Sequence, residues 1–482
     1  MDIVVSNRVA RVTSDKPIMG GLAAALLPAV KKSGVVWFGS SGRTRRIAPD
    51  ATPLIQIESY GHGTIATVDV PEQYYARFYE GFSNSALWPL LHSRLDLLRA
   101  CPEDYASYRE INAYMARMLA TFGRPESRFW IHDYHFLPLG LELRKLGIVR
   151  EIGFFLHTPW PSANAMGALP QHCELAEAML AYDLIGFQTD KDRANFSEFL
   201  RHNLRIPSSG SSFRTRFGTC RLATFPIGID AQEFADRAQK AAADPEVRRL
   251  RTSLGTSQLI IGVDRIDYSK GLLQRVRALE CLLTRYPRLK HQLSLLQIAV
   301  PSRSNIEPYR ALQQDLAALV GTVNAKHSEV DWSPIRYVTK GFRQSTLAGF
   351  YRSSAVGLVT PLQDGMNLVA KEYIAAQDPT DPGVLVLSRF AGAARELDTA
   401  LQVDPQDIEA VVQQITTALM MSLDERRARW QNMMDGLLRH SIHAWFSDFM
   451  QALRTTRAGL FTPVAKLPVR TATEGRTAVA QS

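Results

Sequence analysis

Two cations five residues apart open the chemical reading. In "VDRIDYSKGL", Arg265 and Lys270 follow a strand-like run and stand just ahead of Gly271. Positive groups at a strand's carboxyl end can neutralise a departing diphosphate, work that otherwise needs a divalent metal. Either residue alone would equally well be an ordinary exposed cation. The segment "LVTPLQDGMNLVAKEY" supplies a buried strand ending at Thr360, a tight turn at Asp364-Gly365 and a helix starting near Asn367. There Asp364 can hold a sugar hydroxyl, and Glu372, about one and a half turns into the helix, can accept hydrogen bonds from ribose hydroxyls. As plain architecture the same segment is a sound strand-turn-helix.

Further candidates lie in the first half. Asn7-Arg8 is followed by Gly20-Gly21 ahead of an apolar, helix-prone stretch, Leu22 to Val30. Glycines at a helix N-terminus let backbone approach a diphosphate, although a simple turn explains them too. The pattern is not GxGxxG, so a nicotinamide-binding reading loses its main support. In "WIHDYHFLPL", His132 and His135 have a spacing that can serve a metal, but no third ligand joins them, and no metal is expected. Asp133 and His157, each just after a strand, suit sugar hydroxyls; a core role for His157 is the alternative. Tyr79 and Trp88 sit in the loop-like "YEGFSNSALWPLLHSRLD", where aromatic faces can stack on a sugar or simply pack inward.

These residues need a frame. Strand-like runs at Ile3–Arg8, Val35–Phe38, Phe129–Ile131, Ile152–Leu156, Leu184–Phe187 and Arg221–Phe225 alternate with helical stretches, a rhythm of α/β architecture with a mainly parallel sheet. After "FPIGIDAQEF" a polar helical segment, 231–254, starts a second series, with strands at Leu259–Val263, Leu293–Ile298, Ile335–Val338, Ala355–Val359 and Val384–Leu387. The expected domains are 1–230 on the acceptor side and 231–440 on the nucleotide side, with a helix over 441–460 that can return to the first domain. A disordered tail is expected over 461–482. Two doubly wound domains in tandem leave a cleft where ligands bind.

Composition sets the outer limits. At 482 residues, 46% hydrophobic and 21% charged, the chain reads as globular, with no apolar run long enough to span a bilayer and no secretory leader, so the cytoplasm is expected. Cys101, Cys173, Cys220 and Cys281 are scattered without CxxC spacing and read as reduced thiols. The formal charge of +9 favours an anionic ligand, yet the cations are dispersed and the tight group at Arg43 to Arg46 is short, which argues against nucleic acid.

Together the segments "VVSNR", "DYSKGL", "VGLVTPLQDGMNLVAKEYIAAQDP" and "GVLVLSRFAGAA" resemble the trehalose-6-phosphate synthase family from the N-terminus to about residue 445. The resemblance implies a GT-B fold and metal-independent, retaining transfer of glucose from UDP-glucose to glucose 6-phosphate by a front-face mechanism, with no cofactor. It implies that Gly21, Arg265, Lys270, Phe342 and the stretch Gly365, Met366, Asn367, Leu368, Val369, Ala370, Lys371 and Glu372 meet the donor, with Phe342 on the uracil and Glu372 on the ribose. Arg8, Tyr79, Asp133 and Arg303 match positions for glucose 6-phosphate, Arg8 and Arg303 at its phosphate. Trp88 would help close that pocket, and His157 and Asp364 would orient the donor glucose. Departures are Ser40, where relatives often carry tryptophan, and Thr158 and Trp160 beside His157; all fall on or near the acceptor side. A homo-oligomer, dimer or tetramer, is expected, without nucleic-acid or membrane partners. Rival readings are a synthase using glycerol 3-phosphate or another phosphorylated acceptor, and a non-catalytic sugar-phosphate sensor.

Overall fold

The computed structural model describes residues 1–9, 26–27, 30–46, 54–124 and 126–456. The expected glycine loop at Gly20-Gly21 and the tail over 461–482 lie outside the described residues.

The first half of the chain forms a ten-stranded sheet. In chain order its strands are β1 (Asp2–Arg8), β2 (Val36–Arg45), β3 (Ile55–Tyr60), β4 (Gly63–Pro71), β5 (Arg128–His132), β6 (Ile152–Leu156), β7 (Leu184–Phe187), β8 (Ser208–Ser209), β9 (Ser212–Thr215) and β10 (Gly218–Thr224). They lie in the order β3-β4-β2-β1-β5-β6-β7-β10-β9-β8. Everything from β4 to β10 in that order is parallel, and antiparallel strands finish both edges. The second half forms a six-stranded, wholly parallel sheet from β11 (Gln258–Arg265), β12 (Leu293–Val300), β13 (Ile335–Val338), β14 (Val356–Val359), β15 (Val384–Ser388) and β16 (Leu401–Val403). Its order, β13-β12-β11-β14-β15-β16, is that of a doubly wound dinucleotide-type domain. Two such domains facing each other make the GT-B fold.

Alternation along the strands explains why both faces are covered. Ile3 and Val5 of β1 join one apolar cluster while Val4 between them joins another, as a repeat of two requires. The second cluster continues from Val4, Trp37 and Trp130 into Ile261, Leu296 and Ile298 of the second sheet, so the two domains share a core layer.

The helices include α1 (Pro102–Ala120), α2 (Ala231–Lys240), α3 (Leu272–Arg285), α4 (Glu307–His327), α5 (Leu368–Ala376) and α6 (Ile442–Arg454). The last packs on the first sheet. Its Phe449 stacks on Trp130, with ring centroids 4.3 Å apart, and glycines at 153 and 186 leave the space its ring needs. Among the described residues no helix is long and apolar enough to cross a membrane.

Three local expectations change. The segment 231–254 is not one helix: Asp244 caps a new one at Pro245, and a proline at the first helical position cannot continue the old ladder. The hairpin β3-β4 and the short strands β8 and β9 went unread: β3, β8 and β9 carry few apolar residues, and in β4 Thr64, Thr67 and Asp69 interrupt the apolar run. The stretch carrying Tyr79 is not a loop but a π-helical turn, Arg77–Leu87, running into a short helix at Trp88–Leu91. Polar side chains favour that wide winding: Asn84 Nδ2 and Ser85 Oγ each donate, at 2.7 Å, to the carbonyl five residues back. Such turns cluster at functional sites.

Candidate active site

In each sheet the strand order reverses beside the domain's first strand, between β1 and β5 and between β11 and β14. Ligands of doubly wound sheets bind outside the carboxyl ends at those points. The candidate residues stand there: Arg8 ends β1, Asp133 follows β5, His157 follows β6, Arg265 ends β11, and Lys270 and Asp364 occupy the loops after β11 and β14. The halves touch across the cleft. Trp88 Nε1 donates to Asp267 Oδ1 at 3.3 Å, and Arg303 donates to the Tyr134 hydroxyl at 3.0 Å. A Cβ on Gly365 would run into the His157 carbonyl, so only glycine lets that turn lie against the opposite domain.

On the first-domain side, a bulge between Ser6 and Arg8 re-aims the end of β1, and the Arg8 guanidinium lies over Gly42. Tyr79 is stacked between Tyr75 and His135, with centroids 5.6 and 5.9 Å away. Asp133 has a positive φ of 75° and accepts the His157 amide at 3.4 Å. Burial pushes its carboxyl up to about 6, although the Tyr134 and His157 amides, Arg303 and Arg265 all favour the charge. Arg303 is more committed than the sequence suggests. Its guanidinium donates to Asp267 at 3.0 Å and to Tyr309 at 2.7 Å, and lies 4.0 Å from the centroid of Trp88. Any phosphate it grips must compete with that network.

On the other side, Arg265 has no carboxylate partner within ion-pair reach among the described residues, and its guanidinium stands 6.0 Å from the Trp88 centroid. Lys270 pairs with Asp364, whose carboxylate also accepts from Asn367 Nδ2 at 3.0 Å. Asn367, at a left-handed φ of 73°, caps α5 by accepting the Ala370 amide. Phe342, Leu368 and Val369 line the edge of the shared apolar cluster, Met366 and Ala370 are buried within it, and Phe342 meets Phe350 edge to face at 5.1 Å. Glu372 is half-buried beside Gln344, Arg237 and Tyr351; burial pushes it up to about 7 against their help. Lys371 faces elsewhere: its ammonium is buried on the Ile227 carbonyl at 2.7 Å and Glu396 at 2.6 Å.

The histidines do not converge as ligands. His135 stacks with Tyr79 and Tyr134, whereas His132 Nδ1 lies 3.0 Å from His157 Nε2. His157 Nδ1 in turn faces Gln188 Nε2 at 3.3 Å, so both ring nitrogens are engaged inside the protein. Burial holds the His157 ring at about 3, neutral at working pH. Among the described residues no group of three His, Cys, Asp or Glu could hold a metal ion.

Of the departures, Ser40 is buried and accepts the Gly42 amide at 3.0 Å, and Thr158 adjoins Gly365. Trp160 proves to be a core residue: it is buried edge to face against Phe196, and its backbone is held by the side chains of Asp192 and Asn195. Gly21 lies outside the described residues. Reading the sequence missed Asp267, Tyr134 and Gln188. Asp267 sits inside the quoted "DYSKGL" motif; burial would raise its carboxyl, but Arg303, Arg265 and Lys270 together hold it below the usual range.

Comparison with known proteins bears on this geometry. A sequence model for Glycosyltransferase family 20 matches residues 4–455. A trehalose-6-phosphate synthase of Sinorhizobium fredii is 43% identical over 456 residues, covering 94% of this chain and 97% of that relative. The solved α,α-trehalose-phosphate synthase (UDP-forming) of Burkholderia xenovorans in complex with glucose 6-phosphate superposes with a TM-score of 0.90 at 41% identity, covering 94% and 99% of the two chains. An Escherichia coli structure bound with UDP-2-fluoro glucose gives 0.87 at 40% identity, covering 94% and 99%.

Proposed function

The chain belongs to glycosyltransferase family 20, and from that premise we propose that it makes α,α-trehalose 6-phosphate from UDP-glucose and glucose 6-phosphate. The observation carrying this reading is that Arg265, which with Lys270 stands at the second domain's switch point, faces Trp88 and acts on the Asp133 carboxyl of the first domain. A donor diphosphate would lie on the two cations, with its uracil against Phe342 and its ribose on Glu372. The acceptor would lie between Tyr79, Trp88 and Asp133, its phosphate met by Arg8 and Arg303.

Transfer proceeds with retention at the front face. Arg265, Lys270 and the N-terminal amides of α5 stabilise charge developing on the departing UDP, and a phosphate oxygen of that group takes the acceptor hydroxyl's proton. Two protein cations carry this load without a divalent ion. Closure of the domains keeps water from the glucosyl cation-like species. No covalent sugar intermediate is called for, since a double displacement needs a second carboxylate at the reacting carbon. The four free thiols fit a reducing cytoplasm, and the protein acts as a homo-oligomer.

The test is to incubate the protein in EDTA with UDP-glucose and either glucose 6-phosphate or glycerol 3-phosphate, then identify products by NMR. An α,α-linked disaccharide phosphate from the first acceptor alone is expected. Preferred use of glycerol 3-phosphate, or UDP-glucose binding without any transfer, would replace the reading with one of its rivals.

A further inference from the structure

Lys371 stands on the donor-binding helix, yet its side chain points away from the cleft and is fully buried. It holds the carbonyl of Ile227, in the linker between the two sheets, and pairs with Glu396. The other side of the same linker residue is also held: the Ile227 amide donates to Gln188 Oε1 at 3.0 Å. That bond fixes the orientation of the Gln188 amide, so its Nε2 must donate to His157 Nδ1. His157 then carries its proton on Nε2 and donates to His132 Nδ1. One continuous chain of polar contacts thus runs from His132 and His157, at the first domain's edge of the cleft, through the linker to α5 at the second domain's edge. The second chain crossing is tied in as well: Ile442 donates to Ile229 at 3.2 Å, and His440 Nδ1 lies 3.7 Å from Glu396.

We propose that Lys371 and Gln188 are positioning residues which clamp Ile227 from opposite sides, fixing the donor helix relative to His157 so that the two halves of the site come together in one geometry. The proposal rests on the transferase reading above and deepens it, since it gives the Lys371 ammonium a role through the linker instead of on the donor. Stability alone does not call for such an arrangement. A buried ion pair returns little more than its desolvation cost, and apolar side chains of similar volume commonly serve as well. What a polar clamp adds is a single register, because the two hydrogen bonds to one linker residue, one on each of its flanking peptide units, can be satisfied in only one relative placement of the domains.

The experiment compares wild type, Lys371→Met, Gln188→Leu and the double variant by steady-state kinetics with UDP-glucose and glucose 6-phosphate, and by calorimetric titration with UDP. Each single change is expected to lower kcat by roughly 10- to 100-fold, the loss typical of misplacing reacting groups by about an ångström, while the Kd for UDP stays within about threefold. Because both residues hold the same linker residue, the double variant should fall no more than about threefold below the worse single variant. Losses in kcat that multiply in the double variant would overturn the clamp. So would a Lys371→Met protein that binds UDP more than about tenfold weaker with an unchanged kcat, the signature of a direct donor ligand. Should Lys371→Met fail to fold, Gln188→Leu decides alone, and an unaltered kcat there overturns the proposal. The wild-type rate tests the transferase reading itself, and the ratios of variant to wild type test the clamp.

Discussion

Replacing Gly365 by alanine probes the contact between the two halves of the site more sharply than removing any charged group. A Cβ at this position would sit 1.9 Å from the carbonyl oxygen of His157 and 3.2 Å from the Cα of Thr158. Backbone on one side must therefore retreat by about 1 Å before even a tight contact is possible, and misplacement on that scale costs reacting groups up to about 100-fold in rate. Such a loss corresponds to about 2.7 kcal/mol of barrier. The expected outcome for Gly365→Ala is a kcat lowered by about two orders of magnitude, with a smaller effect on the Kd for UDP, since the diphosphate cations stay where they are. Gly321→Ala is the control: nothing stands within 4 Å of a Cβ there, and the site is an exposed helix, so it should gain about 0.5–1 kcal/mol of stability at unchanged kcat. A Gly365→Ala enzyme turning over within threefold of wild type would refute the claim that catalysis depends on this close approach.

Three further outcomes follow from the charges. Arg303→Ala should raise the KM for the phosphorylated acceptor while slow hydrolysis of UDP-glucose survives, and should lower Tm because Asp267 and Tyr134 lose a buried partner; an unchanged acceptor KM would contradict its assignment. In its proposed role at the ribose, Glu372, raised to about 7, would accept both hydroxyls when ionised, so donor KM should fall roughly tenfold from pH 6 to pH 8, and Glu372→Gln should flatten that profile. The raised carboxyls of Asp133 and Glu372 also set a stability slope. At these two groups the unliganded fold keeps protons that the unfolded chain releases, opposite to the buried neutral rings of His135 and His157, so the urea midpoint of wild type relative to that of Glu372→Gln should decline as pH rises from about 4 through about 7; a relative midpoint that rises in that window would reverse the sign.

The sequence carried the strands well where apolar residues run together, as at Ile152–Leu156 and Leu184–Phe187, because strands buried on both faces leave an unbroken hydrophobic signature. It hid β3, whose outer face is polar, and β4, where Thr64, Thr67 and Asp69 break up the buried apolar residues, and it presented the π-helical turn as a loop, since Gly81, Ser83, Asn84 and Ser85 depress any helical signal. Chemistry followed a similar division. Arg265, Lys270 and Asp364 could be singled out because each sits at a strand end with a glycine or turn beside it. Gln188 could not, because its importance lies in reaching Ile227, a residue 39 positions away. The side chain of Lys371 could not be read from the motif around it either: helix spacing gives its position, but only the packed linker shows which way the ammonium is drawn.

In the proposed mechanism two protein cations do the work of a metal at the departing diphosphate. Turnover at saturating UDP-glucose and glucose 6-phosphate, measured in excess EDTA for wild type, Arg265→Ala and Lys270→Ala, tests this most directly. Full wild-type activity in the chelator, with each variant slowed by about 2–4 kcal/mol in barrier, is the predicted result. Wild-type turnover that collapses in EDTA and returns with magnesium, or variants that run at near-normal rates, would contradict it.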